Sequence, residues 1–196
     1  TIIEQPGVEA DDLIATFTRL ALDAGHEVTI TSSDKDLMCL LANPLVAMYD
    51  PVRRRAMNGD YVREKFGVAP ELMPDFLALM GDATDNIPGI EGVGKTTAAK
   101  LINEYGDVED ILRHAHAISK PAKVRDALLA DEARGDASLL RIGKRLTTLD
   151  DRIGIDQEPS SFSYSGFDRS RVFEFLDEME LVTLKEEIEI GAQEAA

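Results

Sequence analysis

Only one cysteine occurs among the 196 residues, so no disulfide can close within the chain. Cys39 lies in an apolar helical run, where core packing and a reducing compartment fit better than a reactive thiol. No stretch approaches the roughly 20 consecutive apolar residues needed to span a bilayer, and no basic-then-apolar leader opens the sequence. A cytoplasmic protein with no membrane partner is therefore expected. The three histidines, His26, His114 and His116, lack the paired-His or Cys spacing of a metal site and read as structural or surface groups. Internal repeats and low-complexity tracts are absent. So is an initiator Met: the chain opens at Thr1 within what reads as a continuing strand or loop, as a piece of a longer protein would. Basic residues are scarce, 21 Lys and Arg against 37 Asp and Glu, for a net charge of −16. Phosphate binding normally leaves a basic footprint. That objection weakens once the acid is located, part in carboxylate clusters that bound divalent cations would offset and part in the run from Glu178 to Glu194.

The hydrophobic fraction of 44% suits a globular chain. Leu13, Ile14, Phe17, Leu20 and Ala21 share one helical face between Glu9 and Asp23, with Gly25 placed to end that helix. The β-branched segment from His26 to Ser32 predicts a strand, Asp34 to Leu41 a helical turn, and Leu45 to Tyr49 a second strand. Helix, strand, helix, strand implies a parallel sheet flanked by helices. Pro51 to Asn58, with Arg53, Arg54 and Arg55, reads as a turn or tight hairpin. Beyond it the pattern becomes helical: Tyr61 to Phe66, Pro70 to Met80, Lys95 to Tyr105, Val108 to His114, Pro121 to Ala130, Ala137 to Leu146, and one or two helices from Arg169 to Ile190. Pro74 is tolerable only near a helix start. Gln157 to Gly166 reads as a loop. The division expected is an α/β part over 1–68 and a helical part over 69–196.

Acidic residues recur at three element boundaries: Glu9, Asp11 and Asp12 at the start of the first helix, Asp34 and Asp36 just after the first strand, and Asp82 and Asp85 before a glycine-rich turn. Each pair alone could simply serve a helix N-terminus. Their recurrence, next to Ala10, Leu13, Leu37 and Met80, instead suggests hard-cation ligands converging from separate elements, as a two-metal site of about 4 Å spacing requires. Gly89-x-x-x-x-Gly94-Lys95-Thr96 matches a P-loop literally, but a P-loop must follow a buried strand, and the polar stretch Gly81 to Pro88 suits none. The other reading is a helical hairpin in which Gly92 and Gly94 admit a DNA phosphate to the N-terminus of the Lys95 helix, with Lys95 and Lys100 adding charge. A plain interhelical turn would use the same glycines.

The segments Gly7-Val-Glu-Ala-Asp-Asp12, Ser32-Ser-Asp-Lys-Asp-Leu37 and Met80 through Ala98 resemble the 5′ nuclease domain of bacterial DNA polymerase I, kin to flap endonucleases, in order and along the whole chain. The resemblance implies an α/β fold, a partial parallel sheet with flanking helices of the PIN/5′-nuclease-like kind followed by a helix-three-turn-helix subdomain. It implies that Glu9, Asp11, Asp12, Asp34, Asp36, Asp82 and Asp85 hold two catalytic metals, Mg2+ or Mn2+. It further implies that Gly89, Gly92, Val93, Gly94, Lys95, Thr96, Thr97 and Lys100 grip duplex DNA, with K+ on backbone carbonyls of that turn. The substrate implied is a duplex with a 5′ flap or RNA primer, cut during replication and repair at the bacterial nucleoid, with polymerase domains on the same parent chain. The family's first strand and helical arch, which bring further metal-binding Asp residues, would lie before Thr1. The alternative is a non-catalytic duplex-DNA-binding module; a nucleotide switch built on Gly89 to Thr96 is the third reading.

Overall fold

The computed structural model describes residues 1–155, 158–163 and 166–194, with side chains described through Glu189. Two compact units divide it, Thr1–Pro159 and Ser160–Ala196. In the first unit, α1 (Ala10–Asp23) ends where Gly25, at φ +82°, lets its own N–H and that of His26 return to Leu22 O and Ala21 O. The chain then enters β1 (Val28–Thr31), a short 3-10 helix (Asp36–Ala42) and β2 (Val46–Asp50), which lies parallel to β1 with Val28 opposite Val46.

The expectation of a parallel sheet holds for that pair only, because β3 (Arg55–Met57) runs antiparallel to β2 in the order β1-β2-β3. The cause is the short Pro51–Arg54 connection, since a parallel return needs a crossover of about a dozen residues. Asp50 holds this turn: Oδ1 accepts from the backbone N–H groups of Val52 and Arg53, and Oδ2 from the Arg53 guanidinium. The Asp34 to Leu41 segment also tightens to 3-10 geometry, closed by Met38 N–H to Lys35 O and Asn43 N–H to Leu40 O.

The helices that follow are α2 (Gly59–Phe66), α3 (Met73–Met80), α4 (Lys95–Tyr105), α5 (Val108–Arg113), α6 (Ala122–Glu132) and α7 (Leu139–Thr147). Pro74 falls in the first turn of α3, where its missing N–H costs no helical bond. α3 is the centre of the core: Met73, Phe76, Leu77, Ala78 and Leu79 are all fully buried, and α7 and α4 pack on it. At about 1.5–3 kcal/mol for each large apolar side chain removed from water, this one helix anchors the unit. Gly143 of α7 allows the close approach, since a Cβ there would sit 3.4 Å from that of Ala78. α1 is sewn to the segment after α7, with Arg19 Nε donating to Asp151 O at 2.8 Å and Ile153 N–H to Thr16 Oγ1 at 3.2 Å.

The second unit contains α8 (Arg169–Glu178), whose N-cap Asp168 accepts from Arg171 N–H, and α9 (Val182–Glu194). The loop expected over Gln157 to Gly166 contains a 3-10 turn at Pro159–Ser161, and its residues 157, 164 and 165 lie outside those described. No described helix is long and apolar enough to cross a membrane.

Polar pairs carry part of the core. Asp75 on α3, 3% exposed, accepts from Val108 N–H at 2.8 Å and pairs with Lys144 Nζ at 2.8 Å, joining α3 to α5 and α7. Removing the carboxylate leaves the buried Val108 N–H without its acceptor and leaves Lys144 only the longer pairing with Asp107 at 3.4 Å, so Asp75→Ala should lower stability by about 2 kcal/mol, read as a reduced urea midpoint with an unchanged slope. A loss below about 0.5 kcal/mol would show that the pair is not holding these helices.

Candidate metal centre

α3 delivers the chain into a loop whose backbone is pinned from both ends. Asp82 and Ile87 exchange two backbone bonds at 2.8 and 2.7 Å, and Thr84 N–H donates to Asp82 Oδ1 at 2.9 Å. Gly81 and Gly89, both at positive φ, meet back to back: a Cβ on Gly89 would lie 2.5 Å from Gly81 N and 2.7 Å from Met80 O. Gly89, expected at the DNA, therefore has its Cβ direction filled by backbone. Ile87 and Ile90 anchor the loop in apolar surroundings, and Ile90 N–H donates to Leu79 O.

This loop brings Asp82, buried, and Asp85, exposed, to the start of the 3-10 helix, where Asp36 is half-buried. One oxygen from each of the three lies within 4.8 Å of the others. Burial first, then the charges of Asp34 and Asp85, push the Asp36 carboxyl up to about 6. Burial and then Asp82 raise Asp85. Asp82 goes the other way: burial would raise it, but the Lys35 ammonium and the Thr84 N–H outweigh that and hold it below the usual carboxylate range.

Lys35 is the residue that sequence reasoning missed. Its Nζ pairs with Asp82 Oδ2, and the pairing with Asp82 overcomes the effect of burial to raise its own pKa. The only signal was its place between Asp34 and Asp36, which does not say which carboxylate it meets. Asp36 Oδ1 is buried with no hydrogen-bond partner among the described residues. Asp82 Oδ2 likewise lacks an aligned hydrogen bond, but there the ion pair with Lys35 stands in for one. An orphaned carboxylate oxygen within an all-oxygen donor set fits a hard divalent cation.

The other four acids are placed differently. Asp11 is raised by burial first and then by Asp34, Glu9, Asp12 and Asp85, so α1 faces the same field. Asp34 Oδ1 accepts from Asp36 N–H at 3.1 Å, a local turn bond that leaves its second oxygen. Glu9 is the N-cap of α1 without a side-chain cap bond. Asp12 Oδ1 accepts from Asp150 N–H at 2.8 Å, which gives that residue a tie to the segment after α7.

Beyond the loop, Gly92 takes φ +83° and Val93 buries its side chain, so only its backbone could reach a ligand. Gly94, the N-cap of α4, supplies no side-chain bond, and a Cβ there would meet nothing within 4 Å. The first N–H groups of α4 are thus open to an anion. Lys95, Thr96 and Lys100 are exposed and Thr97 half-buried. The chain enters Gly89 from the 81–88 loop and not from a strand, which removes the P-loop context.

Two family profiles match the chain, "5′-3′ exonuclease, N-terminal resolvase-like domain" over residues 1–67 and "5′-3′ exonuclease, C-terminal SAM fold" over 68–170. The chain belongs to the 5′-3′ exonuclease family. Among its relatives, DNA polymerase I of Rhizobium leguminosarum is 41% identical over 93% of this chain and 17% of its own length. The 5′-3′ exonuclease of Aquifex aeolicus is 32% identical over 96% of this chain and 61% of its own. Of solved structures, the T5 5′-exonuclease with bound divalent zinc is 30% identical with a TM-score of 0.67, covering 76% of this chain and 52% of that one. A T5 flap endonuclease variant in a pseudo-enzyme-product complex with DNA and metal ions matches equally well. The chain thus spans less than two thirds of the length of these curated relatives, 17% of the polymerase and 61% of the exonuclease.

Because Asp36 is easier to hold neutral than charged, its folded pKa exceeds the unfolded value of 3.8. Its contribution favours folding below about pH 4 and is lost as pH rises through about 6. In EDTA, Asp36→Asn should raise the melting temperature at pH 7.5 (about 2–5 °C) and flatten the pH dependence between those values. Adding Mn2+ should then stabilise the unaltered chain more than the variant. A variant that melts lower in EDTA, or responds equally to Mn2+, would contradict the arrangement.

Proposed function

We propose that this chain forms the metal-binding and duplex-gripping portion of a structure-specific 5′ nuclease, hydrolysing phosphodiesters near the 5′ end of a displaced DNA or RNA strand. The observation that carries the reading is the convergence of Asp36, Asp82 and Asp85 within 4.8 Å, with the chain running on from Asp85 into the open N-terminus of α4. Residues 1–68 would supply the α/β acids and 69–196 the helical grip, with Asp82 and Asp85 contributed across that division. Mg2+ or Mn2+ suits the oxygen donors of all seven acids, Asp36, Asp82 and Asp85 with Asp11 and Asp34 in the same field, Glu9 and Asp12 through the α1 start. When bound, such ions would lower the pKa of a water and offset charge on the phosphate and the leaving 3′ oxygen.

The protein's own groups do the rest. Gly94 and the free N–H groups of Lys95, Thr96 and Thr97 receive a backbone phosphate, while Lys95 and Lys100 add charge without reading bases. Backbone carbonyls around Gly92 and Val93 are where K+ would sit. The 81–89 loop, rigid through Gly81 and Gly89, keeps Asp82 and Asp85 in place as the strand arrives. No side-chain nucleophile is required. A 5′ flap or RNA primer on duplex DNA is the substrate, polymerase domains on the same parent chain are the partners, and the cytoplasmic nucleoid is the setting. The Lys35–Asp82 ion pair, which already neutralises one acid, favours as second reading a binding module that does not cut.

In the longer nuclease that contains this chain, assayed with Mn2+ and a labelled 5′-flap duplex, Asp82→Asn and Asp85→Asn should reduce cleavage about 100-fold or more while leaving Kd within about 3-fold. Equal losses in cleavage and binding would assign these acids to folding. Binding without any cleavage, by this chain and by the longer protein alike, would favour the module.

A further inference from the structure

A row of cations outside the metal centre alternates with aromatic rings. Lys95 Nζ, at the first residue of α4, lies 5.6 Å from the Phe66 ring centroid. Lys65 Nζ lies 4.9 Å from the same ring and 5.2 Å from that of Tyr61. The Arg55 guanidinium carbon stands 4.4 Å over Tyr61 and its Nη2 donates to Tyr61 Oη at 2.6 Å. The row therefore runs without a gap from the N-terminus of α4, across the end of α2, to β3. Phe66 is fixed to the core by an edge-on contact with Phe76 at 5.6 Å, so its support is rigid.

Acids outnumber bases 37 to 21 in this chain, and most described cations elsewhere find a carboxylate, as Arg19, Arg63, Arg113, Arg125, Arg141, Lys144 and Lys185 do. Lys95, Lys65 and Arg55 are exposed, and among the described residues none of them pairs with one. A ring face holds a cation by its quadrupole without neutralising it. What results is a strip of uncompensated positive charge, held in fixed positions and continuous with the open N-terminus of α4.

The geometry points to this strip as a second stretch of duplex contact, taking backbone phosphates of a nucleic-acid duplex that leaves the α4 N-terminus toward the β2–β3 hairpin. The inference rests on the reading of the glycine turn as a duplex grip and extends it to residues outside that motif. Continuity with α4 is what selects a duplex over other anionic surfaces, and contacts of this kind position the duplex without specifying sequence.

The test measures Kd by fluorescence anisotropy, without added divalent cation, over a series of salt concentrations. A blunt duplex of about 18 base pairs is used. Arg55→Gln and Lys65→Gln should each lower the slope of log Kd against log salt by about 1, and Arg55→Lys should keep it. Unchanged slopes for both Gln variants would overturn the inference, as would equal losses from Arg55→Lys and Arg55→Gln. Lys100→Gln, which belongs to the proposed grip and not to the strip, separates the two readings: it should lower the slope as well. If it is silent while Arg55→Gln and Lys65→Gln are not, the strip stands and the glycine-turn grip falls.

Discussion

Holding carboxylates close together against their own repulsion is the constraint on which the site depends. Two unit charges about 4 Å apart repel by roughly 1 kcal/mol in water and about 4 where screening is partial, set against a total stability of about 5–15 kcal/mol for a domain. Asp85, at the exposed tip, sits toward the screened end of that range, and Asp36, half-buried, toward the other. The fold meets the constraint in two ways. Lys35 neutralises Asp82, and the 81–89 loop is locked by the paired backbone bonds of Asp82 and Ile87 and by the Gly81–Gly89 contact, so the acids cannot drift apart. Asp36, half-buried and outside the Lys35–Asp82 pair, has its carboxyl pushed up to about 6 by burial first and then by the charges of Asp34 and Asp85.

That loop is rigid because α3 is. With both faces buried and α7 and α4 packed on it, α3 presents Met80 and Gly81 at a fixed place, and the chain leaves Gly89 through Ile90 directly into the turn before α4. Two of the metal-ligand candidates, Asp82 and Asp85, and the proposed duplex grip therefore lie on one short segment, Asp82 to Lys95. The distance between where a phosphate could be held and where a cation could be held is set by about a dozen residues that close on themselves, not by the relation of separate bodies.

Much of this was legible in the residues because it is local. The bounds of α4, Lys95 to Tyr105, follow from a glycine on each side; β1 follows from a β-branched run and β2 from the apolar run Leu45 to Tyr49; and Pro74 announced its position near a helix start. Recurrence at element boundaries and resemblance pointed to seven acids sharing one site; among the described residues, oxygens of three of them, Asp36, Asp82 and Asp85, come within 4.8 Å of one another. What escaped depends on contacts between distant parts. The partner of Lys35 lies 47 positions away, the bond from Asp150 N–H to Asp12 spans 138, and the filling of Gly89 by the Met80–Gly81 backbone exists only once the loop has closed. The hairpin over Pro51 to Asn58 was legible as a turn or tight hairpin, but that its far arm adds β3 to the sheet depends on pairing with β2. The alternation of Arg55, Tyr61, Lys65, Phe66 and Lys95 joins a strand and two helices, and no single period connects them.

The central claim, that these carboxylates form a cation site and not merely a strained salt-bridge cluster, is tested most directly by the anomalous-difference map of crystals soaked in Mn2+. The account predicts a peak between the carboxylates of Asp36, Asp82 and Asp85, with oxygen ligands at about 2.0–2.3 Å. A map with no peak there, or with Mn2+ bound elsewhere while Lys35 stays on Asp82 and Asp36 stays unliganded, would contradict it.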